Sequence, residues 1–295
     1  MAARQREVIS SDGVRLAVYE SGATEAPTVV LVHGYPDNHS LWDEVTELLA
    51  GDFHVVSYDV RGAGASEKPR DRRAYRMSQL VDDMRAVLDA TSPDRPVHLV
   101  GHDWGSIQSW PAVTDKRTAG RIASFTSMSG PSLDYSGAWM RQVLSHPRAS
   151  LRQLAHSYYM ILFQLPALPE ILARRGFVGR GVRRAGGRVA APGRNEDAIH
   201  GIQLYRANML QRLTRPQSIT VEIPVQLVVA DEDPFATPEL VVGATQPLVP
   251  NLKIVPVSGG HWLVIQQPEL FAELIRDFAA QTPTASSSAA RSSSR

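Results

Sequence analysis

Short runs rich in Val, Ile and Leu alternate along the chain with stretches of helical period. The runs "PTVVLVHG" (27–34), "FHVVSYD" (53–59), "PVHLVGH" (96–102), "IASFTSM" (122–128), "PVQLVVA" (224–230) and "LKIVPV" (252–257) predict strands. Such continuous apolar runs suit strands buried on both faces. "MSQLVDDMRAVLDA" (77–90) and "PELFAELIRDFAAQ" (268–281) repeat apolar residues at helical spacing behind plausible start signals. Strands and helices in alternation predict an α/β fold, a mostly parallel sheet covered by helices. From about Pro131 to Pro216 the pattern changes: "LRQLAHSYYMILFQL" is helical, and no strand is convincing. This segment predicts a helical insertion over the carboxyl edge of the sheet, where open α/β sheets bind ligands. The expected organisation is a core over 1–130 and 221–281, a helical cap over 131–220, and a disordered low-complexity tail over 282–295.

Composition changes this picture little. At 295 residues the chain can bury one large core, and 43% hydrophobic residues is ordinary for a globular protein. Thirty-one basic against 30 acidic residues leave no global field, so neither nucleic acid nor membrane is implied as a partner. The absence of cysteine excludes disulfides, thiolate catalysis and cysteine–zinc sites. "MAARQREVISSDGVRLAV" lacks the apolar centre of a signal peptide, and no run is long enough to span a bilayer; a cytoplasmic location is the expectation. One local exception is the arginine-rich "RRGFVGRGVRRAGGRVAAPGR" (174–194). A solvated surface accounts for it most simply, and a site attracting anionic lipid or an acidic carrier is the sharper alternative.

The candidate chemistry centres on "VGHDWGS" (100–106), a nucleophile-elbow pattern with Gly101 and Gly105 flanking Asp103 where esterases carry serine. An Asp here could simply cap the following helix. The order of residues downstream argues for more. "VVADEDPF" places acids directly after a strand run, and "VSGGHWLV" places His261 after the next one, the order nucleophile, acid, base that the elbow fold uses. Asp233 is the first choice of acid and Asp231 the second. "LVHGYPDN" supplies an oxyanion loop in which the backbone N–H of Tyr35 would join that of Trp104. A carboxylate is a weak nucleophile toward esters, but it can open a strained or activated carbon by in-line displacement. Water activated by His261 would then hydrolyse the resulting ester. The substrates implied are epoxides or haloalkanes.

Over roughly residues 5 to 280 these motifs, with "DVRGAGAS" (59–66), resemble the α/β-hydrolase fold family. Within it the chain resembles epoxide hydrolases, and more narrowly the hydrolase portion of actinobacterial proteins that fuse one to a short-chain dehydrogenase. The second portion is not part of this sequence, and "GAGAS" lacks the third glycine of a nucleotide motif, so no nicotinamide or other cofactor and no metal is expected. The resemblance implies two cap tyrosines that donate a proton to the opened epoxide. "YMILFQ" matches one family pattern at Tyr159, Phe163 and Gln164, with Tyr158 as the rival of Tyr159, and "IQLYRANM" matches the other, a Tyr-Arg pair, at Tyr205 and Arg206. Ala230 stands where the family usually has glycine. The reading is therefore an epoxide hydrolase acting on a small-molecule epoxide and water, with a homodimer left open. A haloalkane dehalogenase is the alternative; it would need a second halide donor where Tyr35 stands. A non-catalytic ligand-binding protein on the same fold is the third reading.

Overall fold

The computed structural model describes residues 3–187 and 195–282. The tail expected over 282–295 lies, from residue 283 onward, outside the described residues, as does part of the arginine-rich stretch. Strands β1 (Arg4–Ile9), β2 (Arg15–Ser21), β3 (Thr28–Val32), β4 (His54–Tyr58), β5 (Val97–His102), β6 (Ile122–Met128), β7 (Val225–Ala230) and β8 (Leu252–Val257) form one eight-stranded sheet. Its order is β1-β2-β4-β3-β5-β6-β7-β8. β1 and β2 pair antiparallel, β2 also runs antiparallel to β4, and the remaining pairs are parallel. Strands β3, β4, β5 and β7 are buried along their whole length, and the polar residues within them, such as His98 and Gln226, are buried with the rest.

The chain steps from β3 to β4 on one side and then crosses to β5 on the other. This reversal creates a crevice at the carboxyl ends of β3 and β5. The loop carrying Tyr35 and the turn carrying Asp103 emerge there. Between β6 and β7 the described residues form six helices and no strand, ending in the long Asn195–Thr214 helix.

The hairpin β1–β2 is absent from the strands read from sequence. β1 is a charged edge strand with little apolar signal, its Arg4 opposite Glu20. Charge on an edge strand discourages unwanted pairing and masks the strand pattern. Its turn is nonetheless written in "SDG": Gly13 adopts φ +85° and its N–H bonds the Ser10 carbonyl at 2.9 Å.

Arg61, in the loop after β4, fixes this side of the sheet from a fully buried position. Its guanidinium meets both carboxylate oxygens of buried Asp83 at 2.6 and 2.5 Å, and reaches Asp12 of the hairpin turn at 2.8 Å. Replacing Arg61 with Leu strands the Asp83 charge in the interior and should cost about 3–5 kcal/mol. Asp12→Asn, at a partly exposed partner, should cost about 1 kcal/mol or less. Urea titration of both variants distinguishes them; equal losses would show that the Asp83 pair contributes nothing special.

Candidate active site

β5 ends one residue before Asp103, and the Trp104–Ala112 helix starts one residue after it. The chain must reverse within a single residue, and Asp103 accordingly adopts φ 51°, ψ −121°. A non-glycine residue held there stores about 1–3 kcal/mol of strain. The turn closes only because its neighbours are small. A Cβ on Gly105 would lie 1.9 Å from the Val32 carbonyl oxygen, and one on Gly34 would lie 2.4 Å from Asp103 Oδ1.

Although Asp103 stands at the helix start, its side chain makes no capping bond. Its Oδ1 instead accepts the backbone N–H of Tyr35 at 2.7 Å, and the Trp104 backbone N–H also supports the carboxylate. Oδ2 faces His261 Nε2 at 3.8 Å. On the far side of that ring, Nδ1 lies 3.2 and 3.1 Å from the two oxygens of Asp233. Asp233 is held in turn by the N–H groups of Phe235 at 2.8 Å and Ala236 at 3.3 Å. Asp231 is exposed and accepts the Gly259 N–H at 3.0 Å, so Asp233 is the acid that meets the imidazole. His102 is no rival base: its Nε2 lies 2.8 Å from the His261 carbonyl, and burial lowers its pKa to about 3. The ring is therefore neutral, and Nε2–H donates to that carbonyl.

Burial pushes the Asp103 carboxyl up to about 6, against the opposing pull of His261 and the two backbone N–H groups. Burial alone would also raise Asp233, but the charge and hydrogen bond of His261 outweigh it and hold Asp233 below its ordinary value. For His261 burial favours the neutral ring, yet Asp233 first and then Asp103 and Asp37 raise its pKa.

Tyr159 and Tyr205 lie over this cluster with ring centroids 6.0 Å apart. Tyr205 packs edge-on against Trp104 at 4.9 Å and Tyr35 at 5.3 Å. Both hydroxyls are raised above the ordinary tyrosine value, chiefly by burial and further by neighbours that include Asp103. Tyr158 is 70% exposed and points to the rim. Arg206, beside Tyr205, ties the two tyrosine-bearing helices together. Its Nε donates to the Phe163 carbonyl at 2.9 Å and it forms an ion pair with Glu170. The Asn195–Thr214 helix is itself anchored to the core through Asp197, which accepts from Asn38 at 3.1 Å and the Gly64 N–H at 3.0 Å.

Two apolar cavities of about 290 and 140 Å³ meet here. Asp103, Tyr159, Tyr205 and Phe235 line both, and His261 lines the larger. Among the described residues no three or more His, Asp or Glu side chains converge as a metal site. Also among them, no helix is long and apolar enough to cross a membrane.

Sequence reasoning passed over Phe235 and Asp37, and took Arg206 only as the partner of Tyr205 in a sequence pair, without its clamping contacts. Phe235 stacks edge-on against His261 at 4.8 Å, Arg206 clamps the helices, and Asp37 accepts the Trp262 indole N–H at 3.0 Å. Burial raises Asp37 to about 7. Its place directly after "HGYP" was the available signal, since that loop supplies Tyr35.

The family described as alpha/beta hydrolase fold matches residues 27–268, and the chain belongs to it. Among curated relatives, the probable oxidoreductase EphD of Mycobacterium tuberculosis is 38% identical over 291 residues, covering 93% of this chain and 49% of that protein. The chain thus spans about half the length of that relative. Epoxide hydrolase A of the same organism is 30% identical over 220 residues, covering 74% of this chain and 66% of its own length. An epoxide hydrolase of Bacillus megaterium, solved with an inhibitor, shares the fold with a TM-score of 0.77 at 24% identity, over 94% of this chain and 100% of that one.

The raised pKa of His261 depends on Asp233 more than on any other group. Asp233→Asn should therefore lower the imidazole pKa by at least about one pH unit. NMR titration of the His261 ring nitrogens measures this, and an unchanged midpoint would mean that Asp103 carries the effect.

Proposed function

We propose that the protein is an epoxide hydrolase that forms an ester between its substrate and Asp103, with residues 131–220 serving as the cap. The observation that carries this reading is the asymmetric seating of one carboxylate. Oδ1 is held by the Tyr35 N–H at 2.7 Å, while Oδ2 is turned toward His261 and the apolar cavities. Relatives named epoxide hydrolase support it.

Asp103 Oδ2 attacks an epoxide carbon in line, the carbon–oxygen bond of the ring breaks, and Tyr159 or Tyr205 gives its proton to the departing oxygen. Opening this strained ring splits one difficult hydrolysis into two easier steps. The product of the first step is a hydroxyalkyl ester of Asp103. Esterification removes the Asp103 charge, one of the carboxylates that raise the His261 pKa. The imidazole is then a freer base. His261 takes a proton from water, whose oxygen attacks Cγ of Asp103, and the negative charge collects on Oδ1. The N–H of Tyr35 already addresses that atom, the N–H of Trp104 supports the same carboxyl, and the two together stabilise the intermediate. Asp233 supports the imidazolium throughout. Collapse expels the diol oxygen, which takes the proton from His261, and the carboxylic acid of Asp103 returns its proton to the tyrosine. The turnover is balanced: epoxide plus water gives a vicinal diol.

A second reading, dehalogenation, rests on one observation: the Trp104 indole N–H is buried without a well-formed hydrogen bond. A departing halide could use that donor.

His261→Gln should accumulate the ester, seen as a mass increase on Asp103 after incubation with styrene oxide but not with 1-bromobutane. An adduct from the bromide alone would favour the second reading, and no adduct with either would favour a binding protein. Tyr159→Phe and Tyr205→Phe should each slow ester formation about a hundredfold. In pre-steady-state assays of the unaltered enzyme, ester formation should fall as pH drops through about 6, because the nucleophile is the ionised carboxylate and protonation silences it. A rate that is flat from pH 7 to pH 5 would show that the nucleophilic carboxyl is not raised by its burial.

A further inference from the structure

The outer face of the helices between Pro147 and Arg184 differs from the rest of the molecule. Between Gln142 and Gly187 the sequence holds seven arginines and one acid, Glu170, which is engaged by Arg206. The whole chain, by contrast, carries 31 basic and 30 acidic residues. The face is also apolar. On the Tyr158–Gln164 helix, Tyr158 and Ile161 are 70% and 73% exposed, one turn apart. Leu165, Leu168 and Ile171 continue this exposed row onto the Leu168–Arg174 helix. On the Phe177–Arg184 helix the two characters separate by face. Val178 and Val182 line the larger cavity, while Arg180, Arg183 and Arg184 are exposed. Phe177 is 52% exposed, lines the same cavity, and lies under the Arg180 guanidinium at 4.2 Å.

We propose that this face docks the protein on an anionic lipid bilayer, with the mouth of the larger cavity turned toward the acyl chains. Two features together select this occupant. Arginines interleaved with exposed aliphatic and aromatic side chains match a surface that offers phosphate groups above hydrocarbon. The two exposed aromatics, Tyr158 and Phe177, also line the cavity that reaches Asp103. An apolar compound dissolved in the membrane would thereby enter the cavity without crossing water. Docking requires only the surface and the cavity mouth, and not the chemistry at Asp103.

Co-sedimentation of the full chain with vesicles tests it. The protein should pellet with vesicles of phosphatidylcholine containing phosphatidylglycerol, remain free with phosphatidylcholine alone, and release at high salt. Each arginine near an anionic surface is worth about fivefold in partitioning, so Arg180→Gln, Arg183→Gln and Arg184→Gln combined should weaken binding about a hundredfold. Ile161→Gln, which removes an apolar contact and no charge, should weaken it several-fold. Far-UV circular dichroism and thermal midpoints of the variants should match those of the unaltered chain. Failure of the unaltered protein to bind anionic vesicles, or undiminished binding by the folded triple variant, overturns the proposal. A dimer seen by sedimentation velocity, dissolved by the same substitutions and indifferent to vesicles, overturns it in favour of a second copy. Vesicle binding by a protein that forms no ester with either probe would uphold the docking surface while removing the hydrolase reading.

Discussion

The single-residue reversal at Asp103 constrains nearly everything around it. A strand that ends at His102 and a helix that begins at Trp104 leave one residue to absorb the turn, and that residue is forced to φ 51°. The strain holds because the surroundings close on the turn from several sides. Gly105 lies against the Val32 carbonyl, Gly34 against the Asp103 side chain, and Gly130 against the Asp103 carbonyl. None of these positions admits a Cβ without displacing backbone or the Asp103 carboxylate itself. β3, β5 and β6 are thereby locked at the height from which the carboxylate leaves the sheet. The backbone N–H of Tyr35 reaches that carboxylate only because β3 and β5 are neighbours in register, with Val32 opposite Gly101.

Electrostatics builds on this geometry. One imidazole is buried among three carboxylates, Asp103, Asp233 and Asp37, which occupy different environments. Asp233 is hydrogen-bonded by His261 and two backbone amides and stays low. Asp103 is pushed up to about 6 and Asp37 to about 7. Groups of one type with separated pKa values can serve separate roles. On the proposed chemistry, the group consumed in the first step is one that loads the base, so the end of that step itself prepares the second.

The parallel core was legible because its strands are apolar-rich: the bounds read for Ile122–Met128 and Leu252–Val257 coincide with β6 and β8, although β8, at the sheet edge, is only partly buried and not covered on both faces. The antiparallel hairpin was not, since an edge strand such as Arg4–Ile9 needs few apolar residues and protects itself with charge. At the site, Asp103, Asp233 and His261 were readable from motif order, and the structure brings them together. Asp233 was preferred to Asp231 on its place in the loop before Pro234, and the structure turns Asp233, and not Asp231, toward the ring. Tyr159 and Tyr205 came from a family resemblance and do lie over Asp103. Arg206 came with Tyr205 as a sequence pair, but its clamp on the neighbouring helix, like the place of Phe235, was not legible, because these contacts bridge elements whose relative placement local sequence does not encode. The cavity sizes depend on that same placement.

Tyr35 belongs to both halves of the molecule at once. Its backbone N–H bonds Asp103, while its ring packs edge-on against Phe163 and Tyr205. At Gly201 even a methyl group would come within 2.4 Å of that ring. The helix bearing Tyr205 and the amide addressing the carboxylate therefore share one rigid side chain as a mechanical gauge. If that helix slides, Tyr35 is pushed, and the amide drifts from the oxygen it must hold. Alignment of the Tyr205 helix and alignment of the lower amide thus pass through one side chain, so a substitution at either end is felt at the other.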